Sequence, residues 1–258
     1  MSPPRILVSN DDGIFAKGIR SLAHGLRALG SVEVVAPNAQ QSAVGHALTV
    51  SLPLRVERFE EGDYVGRAVS GTPADCVKLA VRNLLEQPPD LIVTGINHGR
   101  NTGTSIVYSG TVSGATEGTM LGIPSIAVSL DDLRADADFS AAVAWTAVIA
   151  RNVLEHSLPP GVLLNVNIPA LPSDEIRGIK VVPQGMSYWD DRYDRRLDPM
   201  GREYYWLHGD YILEGDDTDD HALNDGYVTV TPVHYRLTDQ EMLAGLRAWG
   251  LEGEGSRE

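Results

Sequence analysis

The sequence contains one cysteine, Cys76, among its 258 residues. A single cysteine forms no internal disulfide bond, and such usage is typical of proteins from a reducing compartment. No apolar run approaches the roughly 20 residues of a membrane-spanning helix, and the stretch "MSPPRILV" lacks the apolar core of a signal peptide. These absences predict a cytoplasmic protein with no membrane partner, in which Cys76 is a buried apolar side chain within a helix.

Basic residues are scarce as well. Lysine and arginine together number 21, against 35 aspartate and glutamate residues, so the formal net charge is −14. A protein this acidic is a poor partner for a polyanion through nonspecific attraction alone, and we expect no nucleic-acid polymer as a partner. A phosphate ligand would need a local cation or a group of N–H donors to offset the repulsion.

Short apolar runs alternate with helical patterns over residues 1–170. "RILV" and "VEVVAP" flank a helical pattern that ends at Gly30, and "LIVTGIN", "SIAVSL" and "VLLNVNIP" follow. This order predicts an α/β fold with a doubly wound, mostly parallel, Rossmann-like sheet and helices on both faces. "HALTVSLPLRVERF" is predicted as a further strand, and "GTPADCVKLAVRNLLEQPPD" as a helix with Thr72 as N-cap, Pro73 at its first position and Asp75 at its third.

Residues 171–258 differ in composition and form a C-terminal part. An aromatic and charged stretch within residues 180–226 predicts a protruding β-hairpin arm, which cannot bury its own apolar side chains and so packs on a partner subunit. We interpret the acidic segment "LEGDDTDDHALNDG" as a solvated loop. "YVTVTPVHYRL" predicts a last strand, and "TDQEMLAGLRAWG" a terminal helix used in oligomerisation, with Thr238 as N-cap and Glu241 closing a capping box.

Polar residues follow three of the predicted strands, at the sheet edge where open α/β folds bind ligands. Asn10, Asp11 and Asp12 follow the first strand directly. These residues offer hard oxygen ligands without a thiolate, which suits Mg²⁺ or Mn²⁺, and such ions also take phosphate oxygens of a substrate. The candidates after the other two strands are Ser42, Gly45, His46, Asn97, Asn101, Ser109, Gly110 and Thr111.

The stretch "YSGTVSGATEG" opens a helix, where free N–H groups and the positive end of the helix dipole favour an anion. Ser109 and Thr111 add hydroxyl donors there, and "SAVGH" supplies a second set of backbone donors. A phosphate bridged to a metal at this position suggests phosphoester hydrolysis, because a metal polarises the phosphoryl oxygen and lowers the pKa of a bound water.

Each of these residues also has a structural explanation. Asp11 and Asp12 fit the cap of the following helix, and His46 fits an ordinary structural histidine. Ser42 and Asn97, taken singly, fit loop and turn positions, and the glycines indicate tight turns. The convergence of the residues at neighbouring strand ends favours a site over the separate structural roles.

Five stretches together resemble the SurE family of survival proteins: "RILVSNDDGIFAKGI", "VVAPNAQQSAVGHALT", "SGTPADCVKLA", "DLIVTGINHGRNTG" and "YSGTVSGATEG". The resemblance implies a nucleotidase that hydrolyses nucleoside 5′- or 3′-monophosphates, and in some members short-chain polyphosphate. It implies one Mn²⁺ or Mg²⁺ ion per subunit, and a homodimer or homotetramer built through exchanged C-terminal segments. By resemblance, the metal ligands are Asp11, Asp12, Ser42 and Asn97, with Asn10, Gly45, His46, Asn101, Ser109, Gly110 and Thr111 around the substrate.

Within this scheme Asp11, Asp12 and Asn10 are the predicted catalytic residues. Covalent attack by an aspartate is disfavoured, because haloacid-dehalogenase chemistry needs Asp-x-Asp after the first strand and "NDDG" does not supply it. A receiver-type signalling domain also has an acidic pair there, but it requires a phosphoacceptor aspartate where this sequence has Asn97. A nucleotide sensor without turnover is the remaining alternative.

Overall fold

The protein, described here as a computed structural model, is built around one mixed sheet with a two-stranded hairpin beside it; the structure describes residues 3–249 and 251. The strands are β1 Arg5–Ser9, β2 Ser31–Pro37, β3 Val56–Glu61, β4 Tyr64–Val69, β5 Leu91–His98, β6 Ser125–Leu130, β7 Val162–Ile168, β8 Ile179–Val181, β9 Tyr188–Leu197, β10 Glu203–Ile212 and β11 Val228–His234. The α-helices are α1 Lys17–Leu26, α2 Pro73–Leu79, α3 Gly110–Met120, α4 Ser140–His156, α5 Asp219–Asn224 and α6 Gln240–Ala248.

The nine strands of the large sheet follow the order β3-β4-β2-β1-β5-β6-β7-β11-β8. The strands from β4 through β7 pair in parallel, while β3 and β11 each run antiparallel to a neighbour. The chain leaves β1 on one side for β2 and later returns to its other side as β5. The carboxyl end of β1 is therefore a topological switch point, and loops from three adjacent strands meet there. The predicted α/β class is confirmed.

Both faces of the sheet are covered, because consecutive side chains of a strand point to opposite faces. Ile6 and Val8 of β1 join the apolar cluster that contains α1 and α4 residues. Leu7, between them, joins Cys76 and Val77 of α2 on the other face. Cys76 is fully buried, and burial raises the pKa of its thiol well above the usual value, so it is the buried apolar side chain that the sequence predicts.

Helix α2 begins as predicted. The Thr72 hydroxyl accepts from the Asp75 amide at 3.1 Å, and the Asp75 carboxylate accepts from the Thr72 amide at 3.0 Å, which completes a capping box with Pro73 at the first position. The α-helix is shorter than predicted, because it passes at Ala80–Leu84 into a π-helical segment.

Two predicted elements differ in the structure. Residues 46–55 of the segment "HALTVSLPLRVERF" form no strand, and only Val56–Glu61 pairs with β4. The exposed side chains of Val50 and Leu52 in this stretch mimic the alternation of a strand. Helix α6 is capped by Asp239, whose carboxylate accepts from the Met242 amide, and not by Thr238.

The interpretation of "DDTDD" as a solvated loop was wrong. Residues 219–224 form α5, and the side chains of Asp219 and Asp220 are fully buried. Their hydrogen-bond donors come from residues more than 30 positions earlier in the chain as well as from nearby ones. Local sequence does not reveal such donors, so a run of acidic residues resembles an exposed loop.

The predicted hairpin is present as β9 and β10, which pair antiparallel over ten residues each. Every residue of β9 is exposed, including Trp189 and Tyr193, and so are most residues of β10. No described helix is long and apolar enough to cross a membrane. Residues 250 and 252–258 of the predicted C-terminal part lie outside the described residues.

Replacing Thr72 with alanine tests the capping box. We expect the Thr72→Ala variant to lose about 1 kcal/mol of unfolding free energy, because the Asp75 amide loses its acceptor. Urea denaturation would show a lower midpoint with an unchanged m-value. Thr72→Ser, which keeps the hydroxyl, and Ser51→Ala, at an exposed position, should both match the parent. A Thr72→Ala midpoint equal to that of the parent would contradict the assignment.

Candidate metal and phosphate site

The turn after β1 presents two adjacent carboxylates. The Asn10 side-chain amide donates to the Gly13 carbonyl at 3.0 Å and closes the turn, while Gly13 has a φ of +93° that favours glycine. The Ile14 amide donates to the Pro37 carbonyl at 2.9 Å and ties this turn to the end of β2. Asn10 is fully buried, and its Oδ1 has no partner among the described residues.

Asp11 lies against the first turn of α3. Its carboxylate accepts a short hydrogen bond from the Thr111 hydroxyl, and the side chain is only 6% exposed. A Cβ atom at Gly110 would lie 2.8 Å from the Asp11 Cβ and 2.9 Å from its Oδ2, a separation that real side chains do not tolerate. Glycine at position 110 is therefore what allows the helix to approach the carboxylate.

Asp12 joins the loops that follow β2 and β5. Its Oδ1 accepts from the Gln40 side-chain amide at 3.4 Å, and its Oδ2 accepts from the His98 backbone amide at 3.3 Å. The Gln41 amide also donates to the Asp11 carbonyl at 2.7 Å. The three loops that the sequence predicts to meet at the sheet edge are thus in direct contact.

Burial dominates the electrostatics of the pair. It raises the pKa of Asp11 to about 6, with a further upward effect from the neighbouring Asp12 charge, although the hydrogen bond from Thr111 acts in the opposite direction. Burial likewise raises the pKa of Asp12, against the lowering effect of the His98 amide. Two carboxylates held side by side with raised pKa values have a strong electrostatic reason to bind a cation.

The donor set fits a hard divalent ion. Among the described residues, no lysine or arginine forms an ion pair with Asp11 or Asp12. The Asn97 amide nitrogen donates to the His98 and Gly99 carbonyls at 3.0 and 2.8 Å, so the oxygen of that amide is the atom left for a ligand. Ser42 is exposed in the loop directly after Gln41.

A site built this way is a two-carboxylate site. The part of the chain that the structure describes contains no group of three or more histidine, cysteine, aspartate or glutamate side chains that could hold a metal. Magnesium and manganese sites can use one or two protein carboxylates, with neutral oxygens, water and substrate completing the shell. A structural zinc site would require a richer set of ligands.

The first turn of α3 offers donors to an anion. The Ser109 oxygen caps the helix by accepting from the Val112 amide at 3.1 Å, which leaves its O–H free to donate to a ligand. The Thr111 hydroxyl already donates to Asp11, so in this structure it holds the carboxylate in place. The Gly45 amide, with φ at +56°, donates to the Tyr108 carbonyl at 3.1 Å.

The side chains of His46 and Asn101 both have partners within the protein, which indicates a larger structural role than the sequence predicts. The His46 ring lies 2.9 Å from the carboxylate of Glu117, which is 1% exposed and also pairs with Lys78. Burial acts to raise the pKa of Glu117, but the hydrogen bonds from His46 and Lys78 outweigh it and lower the pKa. Glu117 lies two turns beyond Gly110, about 10 Å along α3.

Asn101 is 7% exposed and is held by three polar neighbours on β6 and β7. Its side-chain amide donates to the Ser129 hydroxyl at 2.8 Å, and its backbone amide donates to the Asn167 side chain at 2.7 Å. The Asn165 side chain donates to its carbonyl at 2.7 Å. Contacts of Asn101 and His46 with a substrate stay predictions.

Sequence reasoning missed four residues around the site: Gln40, Lys78, His98 and Glu117. His98 acts through its backbone amide, which no sequence pattern reveals. Glu117 did have a signal, because it is the only charged residue in "SGTVSGATEGTM", and a lone carboxylate in a buried helix requires partners.

The site thus combines oxygen donors that suit a cation with the N-terminus of helix α3, at the switch point of a Rossmann-like sheet. The profile of the family described as "Survival protein SurE" matches residues 6–191. A 5′-nucleotidase SurE from Syntrophobacter fumaroxidans is 51% identical over 250 residues, which cover 96% of this chain and all of the relative. A 5′-nucleotidase SurE from Christiangramia forsetii is 48% identical over 96% of this chain and 97% of that relative. The crystal structure of a SurE protein from Aquifex aeolicus matches with a TM-score of 0.83 and 42% identity, covering 96% of this chain and all of that one. The chain belongs to the SurE family.

The burial of Asp11 gives a pH-dependent prediction for the metal-free protein. Because the pKa rises from 3.8 to about 6 on folding, the native state binds more protons than the unfolded state between these pH values, and stability falls as pH rises through the window. One pKa unit corresponds to about 1.4 kcal/mol. In EDTA, Asp11→Asn should therefore be more stable than the parent above pH 6, by at most about 3 kcal/mol.

Urea unfolding of both proteins between pH 4.5 and 7.5 measures this difference. Asp174→Asn, which alters an exposed carboxylate, should follow the parent at every pH. An Asp11→Asn variant that is no more stable than the parent at pH 7 would show that burial of the Asp11 charge does not destabilise the fold.

Proposed function

We propose that the protein is a divalent-metal-dependent phosphomonoesterase that hydrolyses nucleoside 5′-monophosphates to nucleoside and phosphate, with one Mn²⁺ or Mg²⁺ ion per subunit. The observation that supports this most directly is the adjacent pair of buried Asp11 and partly buried Asp12, which lies at the N-terminus of α3 without a lysine or arginine partner among the described residues. Relatives named 5′-nucleotidase SurE, at 46–51% identity over nearly the whole chain, support the nucleotide as the substrate. Nucleoside 3′-monophosphates and short-chain polyphosphate present the same phosphoryl group and belong to the same proposal.

Asp11, Asp12, Ser42 and Asn97 would hold the ion. When bound, it polarises a phosphoryl oxygen and lowers the pKa of a coordinated water. Either carboxylate, where it is not itself bound directly to the ion, is suited to take the proton from the attacking water.

The phosphate group would lie at the first turn of α3. Ser109 donates its hydroxyl hydrogen, and the helix dipole favours the negative charge. Asn10, Gly45, His46, Asn101, Gly110 and Thr111 remain the predicted surroundings of the substrate. Gly110 and Thr111 act there by holding Asp11 against the helix, as their contacts with Asp11 indicate.

Phosphate release from a panel of nucleoside 5′- and 3′-monophosphates and polyphosphate, with Mn²⁺ or Mg²⁺, tests the proposal. We expect Asp11→Asn and Asp12→Asn to lower kcat/KM by about 100-fold or more, since each removes a ligand charge and a candidate base. Asp174→Asn is the matched control and should retain parental activity.

Calorimetry with a nucleoside monophosphate and Mn²⁺ separates catalysis from sensing. Binding by the parent without phosphate release would favour a nucleotide sensor. Undiminished metal-dependent hydrolysis in Asp11→Asn would remove Asp11 from the ligand set.

We also propose that the chain forms a homodimer or homotetramer through its C-terminal segments and acts in the cytoplasm, with no membrane or nucleic-acid polymer as a partner. The exposed aromatic side chains of the hairpin support the assembly, because isolated two-stranded hairpins are marginally stable in water. They include Trp189, Tyr193, Tyr205 and Trp206. Helix α6 supports it too, since none of its residues is buried within the subunit.

A shortened arm tests the assembly. Both ends of the stretch 180–226 contribute buried residues, such as Ser187 and Asp219. The deletion should therefore be confined to residues 191–209. Asp190 is then joined to its partner Asp210 through a two-residue Asn-Gly turn. We expect light scattering to give a smaller assembly than the parent, with an unchanged far-ultraviolet circular dichroism signal per folded domain. An unchanged molar mass would show that the distal arm does not mediate assembly.

A further inference from the structure

Hydrogen bonds join the base of the hairpin arm to the loop that leads into helix α3, and we call this set of contacts the lock. This loop, residues 99–109, runs from the end of β5 to the N-cap of α3 and contains the 3₁₀ helix Gly103–Val107. We call six residues the arm root. Gln184, Ser187, Tyr211, Asp219 and Asp220 contact the loop, and Gly185 donates to Asp219.

Asp220 is the centre of the lock. Its Oδ1 accepts from the Thr102 hydroxyl at 2.6 Å and from the Tyr211 hydroxyl at 2.7 Å, and the two hydroxyl oxygens lie 3.3 Å apart. The Arg100 guanidinium lies 3.7 Å from the same oxygen. One buried carboxylate therefore joins α5, the arm strand β10 and the loop.

Backbone contacts extend the lock along the loop. The Asp219 carboxylate accepts from the Gly103 amide at 3.1 Å and from the Gly185 amide at 2.8 Å. The Gln184 side chain donates to the Gly103 carbonyl at 2.8 Å, and the Thr104 amide donates to the Ser187 carbonyl at 2.9 Å. The start of the 3₁₀ helix is thus held by the arm root, while Asn101, two residues earlier in the loop, is held by β6 and β7 of the central sheet.

The packing leaves the loop no room to shift toward the arm root. Gly103 has a φ of +53°, and a Cβ atom there would lie 2.5 Å from the Ser187 carbonyl oxygen and 3.1 Å from Asp220 Oδ2. Two adjacent carboxylates that are 0% exposed are costly to bury. The donors to Asp219 and to Asp220 Oδ1 offset part of that cost, while Asp220 Oδ2 has no hydrogen-bond partner among the described residues. Donors placed in this way favour one loop conformation.

The loop determines where the first residues of helix α3 lie relative to Asp11. Ser109 and Gly110 follow its 3₁₀ helix by only a few residues, and Gly110 approaches Asp11 to within contact distance. The lock and the proposed active site have no side chain in common. A substitution in the lock would therefore act on the active site only through the backbone of the loop.

We propose that Thr102, Tyr211, Asp219 and Asp220 are positioning residues for phosphate-ester hydrolysis, which fix the first turn of α3 against Asp11 through the loop. The inference rests on the proposed function. Because Tyr211 belongs to the arm, the arm is part of the catalytic scaffold as well as a surface for assembly.

Two isosteric substitutions remove one hydroxyl each from the lock. Tyr211→Phe and Thr102→Val should lower kcat/KM for a nucleoside monophosphate by about ten-fold, because small misplacements at a reacting centre are costly. The Mn²⁺ concentration for half-maximal activity should stay within about two-fold, since Asp11 and Asp12 are untouched. The double variant should lose less than the product of the single losses, because both hydroxyls bond the same oxygen.

Three controls separate positioning from general stability. Thr102→Ser, which keeps the hydroxyl, should restore most of the activity that Thr102→Val loses. Tyr193→Phe, on the exposed part of the same arm, should match the parent in every measurement. Val153→Ala, in the core on α4, should lower Tm without changing kcat/KM for the folded protein at 25 °C.

Hydrogen–deuterium exchange gives a readout that does not depend on activity. Peptides covering residues 99–109 should exchange about ten-fold faster in Tyr211→Phe and Thr102→Val, with β1 and β6 peptides unchanged. If the parent hydrolyses no nucleotide, the proposed function fails while this exchange still tests the lock. Unchanged exchange in the loop, or faster exchange with kcat/KM within two-fold of the parent, would overturn the positioning role.

Discussion

The close approach of Asp11 to the first turn of α3 is the contact on which the site depends. It requires glycine at position 110, a hydroxyl at Thr111 and the tight turn closed by Asn10. The contact joins the end of the central strand to the N-terminus of a helix on one face of the sheet. As a result, a cation held by the carboxylates and an anion held by the helix end would be neighbours.

The protein has two pairs of adjacent aspartates in different surroundings: Asp11, Asp219 and Asp220 are buried, and Asp12 is partly buried. Asp219 and Asp220 accept hydrogen bonds from N–H and O–H donors, and Arg100 lies beside Asp220. These carboxylates therefore bind other parts of the same chain. Asp11 accepts a short hydrogen bond from the Thr111 hydroxyl, whereas the two contacts of Asp12 are long, at 3.4 and 3.3 Å, and burial raises both pKa values. The first pair receives several donors within the chain, although Asp220 Oδ2 has no hydrogen-bond partner among the described residues and burial raises the pKa of Asp219. The second pair has no lysine or arginine partner among the described residues, which suits an external cation. This contrast explains how a chain of charge −14 can use buried acid both for structure and for ligand binding.

The sequence predicts the architecture well where local and global signals agree. The strand–helix alternation, the Thr72 capping box and the meeting of three loops near Asp11 all follow from residue patterns. It fails where partners come from distant segments: Asp219 and Asp220 resemble exposed acids until Gly103 and Thr102 supply donors from more than 100 positions away. The cap of α6 at Asp239 was missed by one residue, because Thr238 and Asp239 are both good caps and only the backbone geometry decides between them.

The hairpin has a mechanical consequence. Ten paired residues per strand, at about 3.3 Å each, make a lever roughly 30 Å long that is fastened only at its base. A load on the turn near Asp198 and Arg202 produces its largest torque at the opposite end, where Tyr211 grips Asp220. The arm would therefore pass a force from whatever holds its tip to the contact between Tyr211 and Asp220. That force would change how rigidly the loop 99–109 is held.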